Sequence, residues 1–272
     1  MIVRRINYAV TALLLFSQLV WADTPSLDWS AALSGEHRSE AARQRDQYRH
    51  PRQTLSFFGV KPCDTVVELW PGGGWYTEVL APALRDCGKL VAAHFAADSP
   101  VAFYRRSRGQ YDAMLAGDPA RYDRVRVTAL EPPEHVQLID AETADSVLTF
   151  RNVHNWLKAG TASAVFSAAY QALKPGGIFG VVEHRAHPGT SLERMVSSGY
   201  VTEELVIELA RNAGFLLLSS SEINANPKDS RDHPKGVWTL PPSLRLGDRQ
   251  REYYQGIGES DRMTLKFIKP IM

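Results

Sequence analysis

Residues 65–76 read Thr65-Val-Val-Glu-Leu-Trp-Pro-Gly-Gly-Gly-Trp-Tyr76, and this stretch decides the fold. An apolar run ends in a carboxylate, three glycines follow, and a helix-prone segment begins at once. Three adjacent glycines make a turn with no β-carbons, so a ligand can lie directly on backbone amides. The next helix N-terminus offers free N–H groups and a partial positive charge to an anionic group. The pattern predicts a strand-loop-helix nucleotide site.

Working outward, apolar and helical segments alternate. Strands are expected at 66–69, 90–94, 124–130, 146–151, 178–183 and 215–219, with helices at 76–84, 100–116, 159–173 and 202–213 between them. Thr202 is placed to cap the last helix, Glu203 and Glu204 lie in its positive first turn, and Gly214 closes it. Met263, Leu265 and Phe267 alternate with Thr264 and Lys266 in a final half-buried strand. Strands alternating with helices predict a parallel sheet covered on both faces. Residues 26–58 are polar and helix-prone and precede the core. Residues 224–258 are rich in Pro, Asp and Gly and long for a connection, which marks them for function or disorder.

The first 22 residues carry Arg4-Arg5, an apolar stretch from Ala9 to Val20 and small residues around Ala22. They read as a cleaved export signal, too short to span a bilayer comfortably and leaving no stable membrane anchor. Arg4-Arg5 also permits twin-arginine export, although the flanking residues support it poorly. The rest divides into a helical segment over 23–58 and one large α/β domain over 59–272. The expected location is the bacterial periplasm. Lys and Arg total 31 against 30 Asp and Glu, with no long basic block, which argues against a nucleic-acid or anionic-membrane partner. Cys63 and Cys87 precede the first two core strands; if those strands are neighbours the pair could form a disulfide, and two unrelated thiols are the alternative.

In an open α/β sheet, ligands bind beyond the carboxyl ends of the strands. Glu68, Trp70 and Gly72-Gly73-Gly74 follow the first strand, His94 and Asp98 the second, and Glu131 the third. Asn152, Val153 and His154 follow the fourth, and His184 the fifth. A dinucleotide fingerprint needs G-x-G-x-x-G with an acid about 20 residues later. Here the third glycine is missing and the acid, Glu68, comes first. A nicotinamide-dependent oxidoreductase therefore fits poorly.

Acid then glycines is the arrangement of class I S-adenosylmethionine-dependent methyltransferases. Glu68-Leu-Trp-Pro-Gly-Gly-Gly74 resembles that family's first motif, Arg151-Asn-Val-His-Asn-Trp156 its fourth-strand motif, and Leu173-Lys-Pro-Gly-Gly-Ile-Phe-Gly-Val-Val-Glu183 the turn and strand after it. The chain is most similar to exported bacterial methyltransferases with a Trp-Pro-Gly-Gly-Gly-Trp loop. The resemblance implies a Rossmann-like seven-stranded sheet, mostly parallel, whose last strand is antiparallel. It implies S-adenosylmethionine as cofactor and a small-molecule acceptor. Gly72, Gly73 and Gly74 would line the methionine portion, with Glu68 ordering its ammonium group. His94 would meet the ribose, Glu131 the adenine amine, and Asn152 and Val153 the sulfonium side.

Two departures mark this chain. Trp70 replaces the usual first glycine, so its indole must point away from the cofactor or form one wall of the pocket. His94 replaces the usual ribose-binding acid and lacks a two-oxygen grip, which Asp98 could supply instead. A non-catalytic binding module that keeps the fold is the rival reading. His154 and His184 follow adjacent strands and are the candidates for removing a proton from the acceptor; hydrogen-bonded structural roles are their alternative. His94, His154 and His184 match no metal-ligand spacing. Residues 228–233 read as a solvated loop, and Glu259–Arg262 as an ion-paired turn.

Overall fold

The computed structural model describes residue 27 and residues 29–271. The export-signal reading of residues 1–22 lies outside the described residues. Four short helices come first: α1 (Trp29–Ser34), α2 (Glu40–Arg43), α3 (Asp46–Arg49) and α4 (Pro51–Phe58). The core then runs β1 (Thr65–Leu69), α5 (Thr77–Leu84), β2 (Lys89–His94), α6 (Ala102–Gly117), α7 (Pro119–Tyr122) and β3 (Arg126–Ala129). It continues with β4 (Ala144–Phe150), α8 (Val153–Ala159), α9 (Ala162–Ala172), β5 (Leu173–His184), α10 (Leu192–Ser198) and α11 (Glu203–Asn212). The chain closes with β6 (Leu216–Ser221), α12 (Arg251–Ile257) and β7 (Arg262–Ile268).

These strands form one seven-stranded sheet in the order β3-β2-β1-β4-β5-β7-β6. Strands β1 to β5 pair in parallel, and β7 runs antiparallel to both β5 and β6. Successive side chains on a strand point to opposite faces, so each strand feeds two cores. Val67, Val91, Val147, Phe179 and Leu265 pack with Val165, Phe166, Val206 and Ala210 of α9 and α11. Val66, Leu90, Leu148 and Val182 pack on the other face with Trp29, Leu55, Phe58 and Leu80. Thr202 caps α11 as its position predicts, accepting from the Leu205 amide at 3.3 Å.

The periodic segments and the short helices before the core sit close to where the sequence places them, and the short helices within the core, α7, α8, α10 and α12, were not anticipated. α7, α8, α10 and α12 have too few residues to show a 3.6-residue apolar stripe. Residues 224–258 contain a 3-10 turn at Gly236–Thr239 and α12, not a bare loop. The 228–233 loop is only partly solvated. Asp229 and His233 are buried, with Asp229 accepting from the Tyr200 hydroxyl and paired to His233 at 2.8 Å.

Cys63 and Cys87 form a disulfide between the segments entering β1 and β2. The two strands are paired with Thr65 opposite Lys89, which fixes both cysteines at the same sheet edge. A bridge spanning 24 positions removes unfolded-chain entropy worth about 3 kcal/mol. The double variant C63S/C87S should therefore lose about this much stability in urea unfolding under oxidising conditions, while wild type treated with reductant should match it. Equal midpoints for oxidised and reduced wild type would contradict the pairing.

Candidate functional site

Strand order reverses between β1 and β4, and a crevice opens there at the carboxyl ends. A cavity of about 920 Å3 occupies it, bordered by Trp70, Gly72, Phe95, Tyr104, Asn152, His154 and Trp238 among others. Lys158 and Arg245 also border it, and among the described residues no Asp or Glu does. This cavity is the candidate active site.

The glycine turn is built for close approach at two points. Gly72 has φ +61° and a β-carbon there would meet nothing within 4 Å, so its open side gives onto the cavity. Gly73 is equally open. Gly74 serves the fold instead: at φ +88°, a β-carbon would collide with Met114 and crowd Tyr111 of α6.

Trp70 takes φ +45°, a left-handed conformation suited to glycine. Its indole reaches across the end of β2 and Nε1 donates to the Leu130 carbonyl at 2.8 Å. Phe95, Tyr104 and Trp156 lie at centroid distances of 4.6, 5.8 and 5.7 Å. The left-handed backbone costs about 1–2 kcal/mol, whereas burying an aromatic side chain of this size contributes roughly 4 kcal/mol. Burial wins, and the indole becomes a fixed wall of the cavity.

The other sequence-predicted residues divide sharply. Asn152 borders the cavity, its side-chain amide within 3.0 Å of the Leu69 carbonyl and 3.3 Å of that of Trp70, which ties the ends of β4 and β1 together. Val153, the first residue of α8, does not face the cavity; it is fully buried in the core. His94 is turned inward. Its Nε2 lies 3.1 Å from the Gly72 carbonyl and its Nδ1 accepts from the Phe95 amide at 2.7 Å, so both nitrogens are spent beneath the glycine turn. Glu131 accepts from Ser99 Oγ at 2.6 Å and from the Ala96 amide, which ties down the loop after β2. Asp98 is exposed on that loop and does not border the cavity.

Glu68 lies under the turn, fully enclosed, accepting from Thr77 Oγ1 at 2.6 Å. Thr77 in turn is 3.1 Å from the Tyr111 hydroxyl. Burial pushes the Glu68 carboxyl up to about 7, with the Thr77 bond and Arg151 opposing.

His154 and His184 do converge, with ring centroids 5.3 Å apart. His154 Nδ1 is 3.0 Å from Glu183 Oε1, and its backbone amide donates to the other oxygen. That leaves Nε2 for a ligand, and His154 borders the cavity. His184 Nδ1 is 2.5 Å from Ser260 Oγ. Burial, then the charge of His154 and of Arg262, Arg151 and Arg49, holds its pKa well below the ordinary value, so it stays neutral. His154, Glu183 and His184 have ligand-type atoms within 4.8 Å of one another, a spacing a metal ion could bridge. The cationic surroundings of His184 oppose a metal ion. Trp238 and Arg245, stacked at 4.6 Å, wall the site from the 224–258 segment. The length and composition of that segment were the only sequence signal for them.

Neither a protein-family model nor a curated protein sequence matches the chain. Solved structures do match in shape. An S-adenosylmethionine-dependent methyltransferase from Aquifex aeolicus aligns at TM-score 0.52 and 16% identity, over 66% of this chain and 87% of that one. Phosphoethanolamine N-methyltransferase 2 of Haemonchus contortus, in complex with S-adenosyl-L-methionine, aligns at 0.55 and 16%, over 82% of this chain and 53% of that one. The [4+2]-cyclase SpnF aligns at 0.57 and 15%, over 88% and 86%. The chain therefore has the Rossmann-like methyltransferase fold, with six strands in one direction and one reversed.

In the unfolded chain the Glu68 carboxyl titrates near 4.5, against about 7 when folded. Folding takes up a proton in that window, so stability falls as pH rises through it. E68Q removes this loss. Relative to wild type, it should gain on the order of 3 kcal/mol between pH 4 and pH 8 in urea unfolding. A constant difference across that range would contradict the elevated carboxyl.

Proposed function

We propose that this protein is an exported enzyme that moves a methyl group from S-adenosylmethionine to a small molecule. One observation carries the reading: the open turn at Gly72 borders a roomy cavity at the sheet's switch point, with His154 also on its wall. The Cys63–Cys87 disulfide is compatible with the export half of the proposal. No helix of the described residues is long and apolar enough to cross a membrane.

The residues present fit the cofactor unevenly. A cradle a β-carbon would fill is the place for the methionine end, against the Gly72 backbone and beside Asn152. Among the described residues no carboxylate borders the cavity to grip the ribose, and His94, which stands in its place, is consumed inside the turn. What the chain offers instead is an aromatic wall of Trp70, Phe95 and Tyr104, a face on which a base can stack. When bound, the cofactor supplies an electrophilic methyl carbon on a cationic sulfur. The protein's own part is alignment and proton removal. His154 Nε2 would take the proton of an O–H or N–H acceptor, and Glu183, 3.0 Å from Nδ1, fixes the ring and would stabilise the imidazolium.

A second reading is favoured by the loss of a ribose carboxylate: a binding module that keeps the fold and holds another ligand without catalysis. Calorimetric titration separates the two. The enzyme reading expects binding of both S-adenosylmethionine and S-adenosylhomocysteine, and no heat with either contradicts it. Gly72→Leu should weaken that binding at least tenfold by filling the cradle. Gly189→Leu, at an equally open left-handed glycine outside the cavity, controls for backbone strain and should leave affinity unchanged.

A further inference from the structure

Behind His154 and Trp238 lies a second cavity of about 280 Å3, and its walls carry an unusual charge. Arg45, Arg49, Arg151 and Arg262 all border it, with Glu259 as the one carboxylate. Glu259 is 2% exposed and is shared three ways. Arg45 Nε lies 2.5 Å from one oxygen and Arg49 Nε 3.3 Å from the other, and Arg262 pairs with it as well. Burial alone would raise this carboxyl, yet the surrounding guanidiniums hold it well below the usual carboxylate range.

One carboxylate cannot neutralise four guanidiniums. Arg262 is 2% exposed, and its Nε has no hydrogen-bond partner among the described residues. Arg151, half-buried on a left-handed backbone at φ +62°, has no ion pair to any described residue. The cations depress one another: burial and Arg151 lower Arg49, and burial and Arg262 bring Arg151 to about 10. Buried uncompensated charge is costly, and an anion with several oxygens is the group that offsets it, through the planar fork geometry of arginine.

The second cavity meets the first through shared walls, since His154 and Trp238 border both. A molecule seated in the arginine cavity therefore lies against the His154 side chain. We infer that the acceptor is a small molecule with a terminal oxyanion, a carboxylate or a phosphate, held by Arg49, Arg151 and Arg262 with its reactive end at His154. This deepens the methyl-transfer reading and rests on it for the word acceptor; the anion site itself stands on the arginines alone. The lack of any Asp or Glu around the larger cavity, and the presence of Lys158 and Arg245 there, agree with an anionic ligand.

Inorganic phosphate and acetate are the probes, each compared with chloride at equal ionic strength on the full mature chain. At ten times its Kd, the better-fitting anion should raise Tm by about 4 °C. R151M should weaken that anion at least tenfold, and R151K, which keeps the charge and loses the fork, should fall between. If R151M does not fold, R151K and wild type still decide the matter. Phosphate acting alone points to a phosphorylated acceptor, and acetate acting alone to a carboxylic acid. Equal Tm in phosphate, acetate and chloride overturns the site, as does an anion effect untouched by R151K and R151M. A parallel titration with S-adenosylhomocysteine keeps the two ideas apart. Anion binding without nucleoside binding removes methyl transfer and leaves the site, and the reverse removes the site alone.

Discussion

The rim of this protein is organised around the hydrogen bond from the Trp70 indole to the Leu130 carbonyl. It spans the end of β2 and forces three consequences. The backbone at Trp70 turns left-handed, and Gly72 just beyond it borders the crevice. Phe95 and Tyr104, stacked on each other at 3.9 Å, take positions beside the indole. The indole then fills the space between the ends of β1 and β3 and forms one wall of the cavity. Asn152 completes the arrangement by holding the carbonyls of Leu69 and Trp70 from the β4 side.

A second set of constraints comes from charge. Glu259 joins Arg45 and Arg49 of the N-terminal helical segment to Arg262 of β7, across as many as 214 positions of sequence. Without that carboxylate the three guanidiniums would repel one another, and the first helices would be left with their apolar packing on the sheet as the main hold. Burial, with the nearby His154 and the guanidiniums adding to it, keeps His184 neutral and leaves His154, oriented by Glu183, as the imidazole with a nitrogen available to the larger cavity. Fold and candidate chemistry are thus joined by one ionic group.

Much of this was legible in the sequence, and the limits have physical causes. The strands, the glycine turn and the α11 cap depend on spacing within a few residues, so local pattern reveals them. The alternation of strands and helices predicted a parallel sheet, and the family resemblance implied its seven strands and reversed last strand. The direction of a side chain is a different matter. Nothing local tells that His94 turns toward the Gly72 carbonyl or that Val153 enters the core, because each choice is made by neighbours distant in sequence. Asp229 and His233 sit in a stretch polar enough to read as solvated, yet they are buried because each finds its partner. The arginine cavity was invisible for the same reason: its members come from the N-terminal helices, the β4 end and β7, and only tertiary structure assembles them.

The central claim is that the open turn after β1 holds a sulfonium nucleoside whose base rests on the Trp70 wall. A crystal structure of the protein grown with S-adenosylhomocysteine addresses it directly. The account predicts the amino-acid end against the Gly72 backbone and the adenine stacked on Phe95, Tyr104 or Trp70, with His94 still turned inward. Density for the nucleoside elsewhere, or a cavity that excludes it at saturating concentration, would contradict the account.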